Sequence, residues 1–217
     1  MKNYKTYIAI SLSSILLSLY LFEIYLTLNS NLPEINKAKI KESFEKDSNQ
    51  NYETRSKYQF FKDLSVDNKN FTVTVAPIKF NDPNKDIHFL SGTSNYQTID
   101  CNENGYFSIY LSDQFGFNNP NDQWESDKIK YIILGDSFAH GACVNRPNDI
   151  ASQLRILSQE NVINLGYKAN GPLSMLATLK EYMPKNTKNV LWLYFEGNDL
   201  NDLESELNNE ILTKYLS

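Results

Sequence analysis

The sequence predicts an α/β protein: a three-layer α/β/α sandwich with a parallel sheet, preceded by a small β-rich segment and an N-terminal transmembrane helix. Three observations carry this expectation. A single long apolar run opens the chain; short stretches of alternating apolar and polar residues follow a polar region; and after Trp124 three wholly apolar runs alternate with stretches of helical spacing. Apolar runs without alternation suit strands buried on both faces, whose natural connection is a crossover helix.

The apolar run spans Tyr7 to Leu28 and contains one ionisable residue, Glu23. Its 22 residues reach about 33 Å as a helix, enough for a hydrocarbon core of about 30 Å. No small-residue cleavage site follows Leu28, so a membrane anchor is favoured over a cleaved signal peptide. Glu23 lies near the far end of the run, where it can reach the interface. Lysines stand on both sides, Lys2 and Lys5 before and Lys37, Lys39 and Lys41 after, so charge gives no clean orientation. The shortness of the leading tail places residues 1–6 in the cytoplasm, with 7–28 as a single-pass anchor and the C-terminal part extracytoplasmic. Cys101 and Cys143 could pair in such a compartment, and two buried free thiols are the alternative.

Residues 29–70 are rich in Lys, Glu, Asn and Asp and read as a polar, partly helical stalk ending in something that docks. Residues 71–127 form the β-rich lead-in. Phe71 to Val75 and Phe107 to Tyr110 alternate, and Asn102 to Gly105 supplies a turn between them. Residues 128–217 hold the α/β alternation. Tyr131 to Leu134, Val162 to Leu165 and Val190 to Phe195 are the strands. Ile150, Leu154 and Leu157 mark one helix, capped by Asn148 or Asp149; Leu173, Leu176, Leu179 and Met183 mark another behind Gly171-Pro172. Leu200, Leu203, Leu207, Ile211 and Tyr215 space like one closing amphipathic helix. Trp192, Tyr194 and Phe195 are expected in the core.

Charge and composition narrow the function. With 21 basic and 26 acidic side chains the net charge is −5, which disfavours a nucleic-acid partner. Two cysteines outside any C-x-x-C pair and two histidines, His88 and His140, leave no zinc or thioredoxin-like motif. No cofactor or metal is expected, and Glu196, Asp199 and Asp202 read as a solvated acidic rim. The oligomeric state is not encoded legibly.

Ligands on parallel sheets bind beyond the carboxyl ends of the strands. Those ends carry Gly135-Asp136-Ser137, then Asn164 to Pro172, then Gly197-Asn198-Asp199. A serine at such a turn offers a nucleophile near backbone N–H donors, and a carboxamide adds a further donor, as acyl transfer needs. These three blocks resemble those of the SGNH or GDSL-type hydrolases, whose sheet is flavodoxin-like, and in particular the membrane-anchored bacterial members. Asp113 to Pro120 resembles the D-x-x-G-F-x-x-P stretch that precedes the first block there, so the likeness covers about Tyr52 to Asp202.

The resemblance implies Ser137 as nucleophile, with the N–H of Ser137 and the amide of Asn198 in the oxyanion hole. The remaining donor falls at Ala169, where the family carries glycine, or at the nearby Gly171. It implies an acyl-ester substrate, by family habit an acetyl group on a surface carbohydrate. The family's base is a histidine in a D-x-x-H block after two further strands, and no histidine follows His140. The hydrolase-like part is therefore read as truncated, with little or no esterase activity of its own. His140, three residues after Ser137, is more readily a packing residue than a substitute base, and Asp136 more readily a cap than a catalyst. The alternatives are a non-catalytic glycan- or partner-binding module, a piece of a longer protein, or a different doubly wound fold.

Overall fold

A computed structural model describes residues 4–29, 37–67, 69–77 and 87–217. Parts of the expected cytoplasmic tail and stalk thus lie outside the described residues. The chain divides into two compact units, Met1–Ser43 and Phe44–Ser217.

In the first unit, helix α1 runs from Tyr4 to Asn29 with no polar stripe, and Thr6–Leu28 within it is long and apolar enough to cross a membrane. Its hydroxyls bond back along the helix, Ser14 Oγ to the Ile10 carbonyl at 2.9 Å and Ser18 Oγ to the Ser14 carbonyl at 2.8 Å. Such internal pairing is what a polar group needs where water is absent. Helix α2, Lys37–Ser48, begins in this unit and ends in the second.

The second unit opens with Phe44 packing edge-on to Tyr52 at 5.7 Å, and continues through α3 (Lys57–Asp67), whose Phe60 stacks on Phe107 at 4.7 Å. From Phe44 onward, then, the region expected as stalk lies against the lead-in. The lead-in carries β1 (Phe71–Val73), β2 (Gln97–Ile99) and β3 (Ile109–Leu111), with β1 parallel to β2 and β2 antiparallel to β3. The alternation signalled β1 and β3. It missed β2, because Gln97 and Thr98 are both polar and break the alternation.

The second sheet has order β5-β4-β6, all parallel: β4 Ile129–Gly135, β5 Val162–Asn164 and β6 Thr187–Leu193. Between them lie α4 (Ser137–His140), α5 (Ile150–Ser158) and α6 (Pro172–Tyr182). Ile132 and Leu134 of β4 cluster with Leu179 and Tyr182 of α6, whereas Tyr131 and Ile133 cluster with Ala139, Ala151 and Leu154 of α4 and α5. Successive residues of a strand point to opposite faces, so the all-apolar run of β4 serves two cores.

Two expectations are corrected. The single closing helix is two, α7 (Asp199–Glu206) and α8 (Glu210–Thr213), followed by a 3₁₀ turn over Lys214–Leu216. The break occurs because Asn209 turns its Oδ1 to the N–H groups of Ile211 and Leu212, starting a new helix. Strand β6 is not core: Trp192, Tyr194 and Phe195 are 56%, 48% and 40% exposed. The strand is at the edge of its sheet, and apolar composition alone cannot say whether a neighbour will cover it.

Candidate active site

Glycines bring the three blocks to one edge of the sheet. Gly135 ends β4, and a Cβ there would sit 2.7 Å from the Ala139 Cβ and 2.9 Å from the Leu193 carbonyl. At Gly166 a Cβ would meet the Ala139 carbonyl carbon and the His140 nitrogen, both at 2.8 Å. The turn after β4 thus lies directly on the turn after β5, and only hydrogen fits between them. Backbone and side chains tie the same turns together. The Tyr167 N–H donates to the Gly135 carbonyl at 3.2 Å, and Asn164 Nδ2 donates to the Ala139 carbonyl at 2.6 Å.

The third block reaches the first through Asn198, whose Nδ2 donates to Asp136 Oδ2 at 3.3 Å and to Asp202 Oδ2 at 2.9 Å. Phe195 and Phe138 add a ring contact at 4.9 Å. Ser137, half-buried, is the first residue of α4, and Asp136 caps that helix by accepting the Phe138 N–H at 3.0 Å. Burial, with the charges of Asp136 and Asp202, raises the Asp199 carboxyl; burial and Asp136 likewise raise Asp202. These acids crowd one another, but among the described residues no group of three or more His, Cys, Asp or Glu side chains is arranged to hold a metal.

The oxyanion donors that the resemblance implies stand differently from one another. Asn198 has both amide hydrogens engaged by carboxylates, while its Oδ1 is buried without a partner. Ala169 has φ +56°, the left-handed region in which glycine is favoured. Gly171 is removed as a candidate, because its N–H donates to Glu206 Oε1 at 2.8 Å. Glu206 also accepts the Leu173 N–H at 2.8 Å, the Ser174 N–H at 3.3 Å and the Ser174 hydroxyl, so it caps α6 from the end of α7. Burial raises its carboxyl, and the four donors pull it back.

Neither histidine is arranged as a base for Ser137. His140 is fully buried, with Nε2 3.0 Å from the Tyr110 hydroxyl and its ring beside that of Tyr167. Burial pushes it down to about 4, so it is neutral at pH 7. His88 places Nε2 3.1 Å from Ser174 Oγ, on α6. Both are packing groups.

Sequence reasoning marked Asp113 to Pro120 only as a resembling stretch and missed that its side chains fasten the lead-in to the site. Asn118 Nδ2 donates to the His140 carbonyl at 3.0 Å. Asn119 Nδ2 donates to Asp113 Oδ2 and to the Asn164 carbonyl, both at 2.8 Å, and its Oδ1 accepts the Asn164 N–H at 2.8 Å. Asp113 in turn accepts the N–H groups of Phe115 and Phe117 and the Trp124 indole. The density of asparagine at 118–121 was the available signal. Cys101 and Cys143 form a disulfide with Cα atoms 4.7 Å apart, joining the lead-in to the loop after α4. Next to it, burial would raise the Asp100 carboxyl, but the Lys168 ammonium at 2.5 Å and the Cys143 N–H at 3.1 Å outweigh burial and hold it below its ordinary value.

No family model, curated protein or solved structure matches this chain.

Proposed function

We propose that the chain is a membrane-anchored, SGNH hydrolase-like protein whose site handles acyl esters, with Ser137 as the nucleophile. The observation that carries this reading is the meeting of three strand-end turns at one sheet edge, with Asn198 bonded to Asp136, the neighbour of Ser137. The two apolar clusters on opposite faces of β4 support the three-layer sandwich such a site requires. The substrate class, an O-acetyl group on surface carbohydrate, rests on the resemblance of the blocks. An extracytoplasmic position with α1 as anchor is supported by the Cys101–Cys143 disulfide, a bond that persists in oxidising compartments.

Serine attack needs a base, and both histidines of this chain are committed elsewhere. The chain alone therefore turns over esters slowly. Supplying imidazole in solution tests the reading: turnover of p-nitrophenyl acetate by the full chain in detergent should rise with imidazole above that of Ser137→Ala. A well-placed base contributes about 10²- to 10⁴-fold, and a diffusing one less. Equal rates for the two proteins at every imidazole concentration would remove Ser137 from the chemistry.

A second reading has its own support. The engaged amide of Asn198 and the left-handed Ala169 both weaken an oxyanion hole, and they favour a non-catalytic module that binds a glycan or a protein partner with the same edge. Carbohydrate binding without Ser137-dependent turnover would favour it.

A further inference from the structure

Strand β6 is the outermost strand of the β5-β4-β6 sheet, so among the described residues the backbone N–H and C=O groups along its outer edge meet no ladder partner. Lys188 is its one charged side chain, and from Asn189 to Leu193 no further charge of the kind that usually guards such an edge follows. Val190, Leu191 and Trp192 are exposed in succession, and the apolar surface continues through Tyr194 and Phe195. Three strands are also few for a sheet, which more often has four to six.

The charges along this edge select its occupant. Lys185 and Lys188 lie at its beginning, and Glu196 at its end, all three exposed. A strand laid parallel from an identical edge would set lysine beside lysine and glutamate beside glutamate. Two copies presenting the same edge close by a two-fold axis normal to the sheet, which runs the strands antiparallel. That rotation brings the lysine end of each copy to the glutamate end of the other, and it places Trp192 of each near Lys188 of the other, where a cation can sit over a ring. We infer that β6 pairs with β6 of a second copy, making one sheet of six strands in the order β5-β4-β6-β6-β4-β5. The dimer axis passes near Val190 and Leu191. This assignment is independent of what the site does to an ester.

Cysteine cross-linking of the full chain in detergent tests it, because the two native cysteines are joined to each other and an introduced thiol is the sole free one. Val190→Cys or Leu191→Cys should give a disulfide-linked dimer, being nearest the axis. Thr187→Cys should not, because antiparallel pairing carries it toward the far end of its partner strand. By sedimentation, the native chain should show a concentration-dependent dimer, and Val190→Lys should be monomeric with an unchanged circular dichroism melt. Glu196→Lys should weaken the dimer about ten-fold, the size of the two exposed ion pairs that the two-fold axis generates, and adding Lys185→Glu should restore it. A chain that is monomeric across the micromolar range overturns the assignment. So does a dimer that survives Val190→Lys, which would place the contact elsewhere, α1 included, or open-ended aggregates with cross-linking at all three positions.

Discussion

At the scale of single residues, Ala169 and Asn198 are where the geometry fits the proposed acyl-transfer chemistry least. Alanine at φ +56° places its Cβ against backbone, at a cost of roughly 1 kcal/mol that glycine does not bear. Glycine gives back part of that through its freer unfolded chain. Ala169→Gly should accordingly stabilise the protein by no more than about 0.5 kcal/mol, read as a higher urea midpoint with an unchanged slope. Destabilisation would mean that the turn after β5 does not hold this conformation in solution. Asn198 differs in kind. Its amide is satisfied by Asp136 and Asp202, so its direction is set by two neighbouring carboxylates, and an oxyanion would have to compete with them for the same hydrogens.

At the scale of elements, helix ends decide where chain segments start and stop. The spacing of Ile150, Leu154 and Leu157 announces α5, but its cap was open between Asn148 and Asp149. Asp149 takes the role, accepting the Ser152 N–H at 2.9 Å and its hydroxyl at 2.5 Å, and it is buried while Asn148 is exposed. Asp149→Ala should cost about 1–2 kcal/mol in chemical denaturation, and Asn148→Ala less than about 0.5 kcal/mol. Equal losses would show that burial of the cap adds nothing. The same chemistry at Asn209 divides what periodicity reads as one helix into α7 and α8. Helical spacing of apolar residues survives a one-turn interruption, because both short helices present their apolar sides to α6, where Leu173 and Ala177 meet Leu203 and Leu212.

At the scale of the whole molecule, the bonds that join the lead-in to the α/β part of the Phe44–Ser217 unit include those of Asn118 and Asn119, the Asp100–Lys168 ion pair and the disulfide. The bridge spans a separation of 42 residues, a loop whose closure in the unfolded chain is worth about 4 kcal/mol in the entropic account. Reduction by dithiothreitol should lower the unfolding free energy by about that amount, seen as a drop in the urea midpoint of the native protein. The Cys101→Ala, Cys143→Ala double variant should start low and be indifferent to reductant. An unchanged midpoint on reduction of native protein would show that the two thiols do not pair in solution.

The strands β4, β5 and β6, helices α5 and α6 and the membrane-length helix were legible because each rests on local periodicity or on a run long enough to count. Ser137 and Asn198 were legible as candidates because each closes an apolar run where ligands of parallel sheets bind. What stayed hidden is non-local. Glu206 caps a helix 33 residues away, Asn119 bonds Asn164 across 45, and the exposure of β6 depends on which strand lies outermost. The order of residues alone therefore determined the kinds of element and the turns that close the strands, since those follow from side-chain pattern over a few residues. Tertiary structure alone decided that Gly171 is spent on a cap and that His140 is sealed against Tyr110, because each depends on which distant groups compete for the same hydrogen bond or the same space.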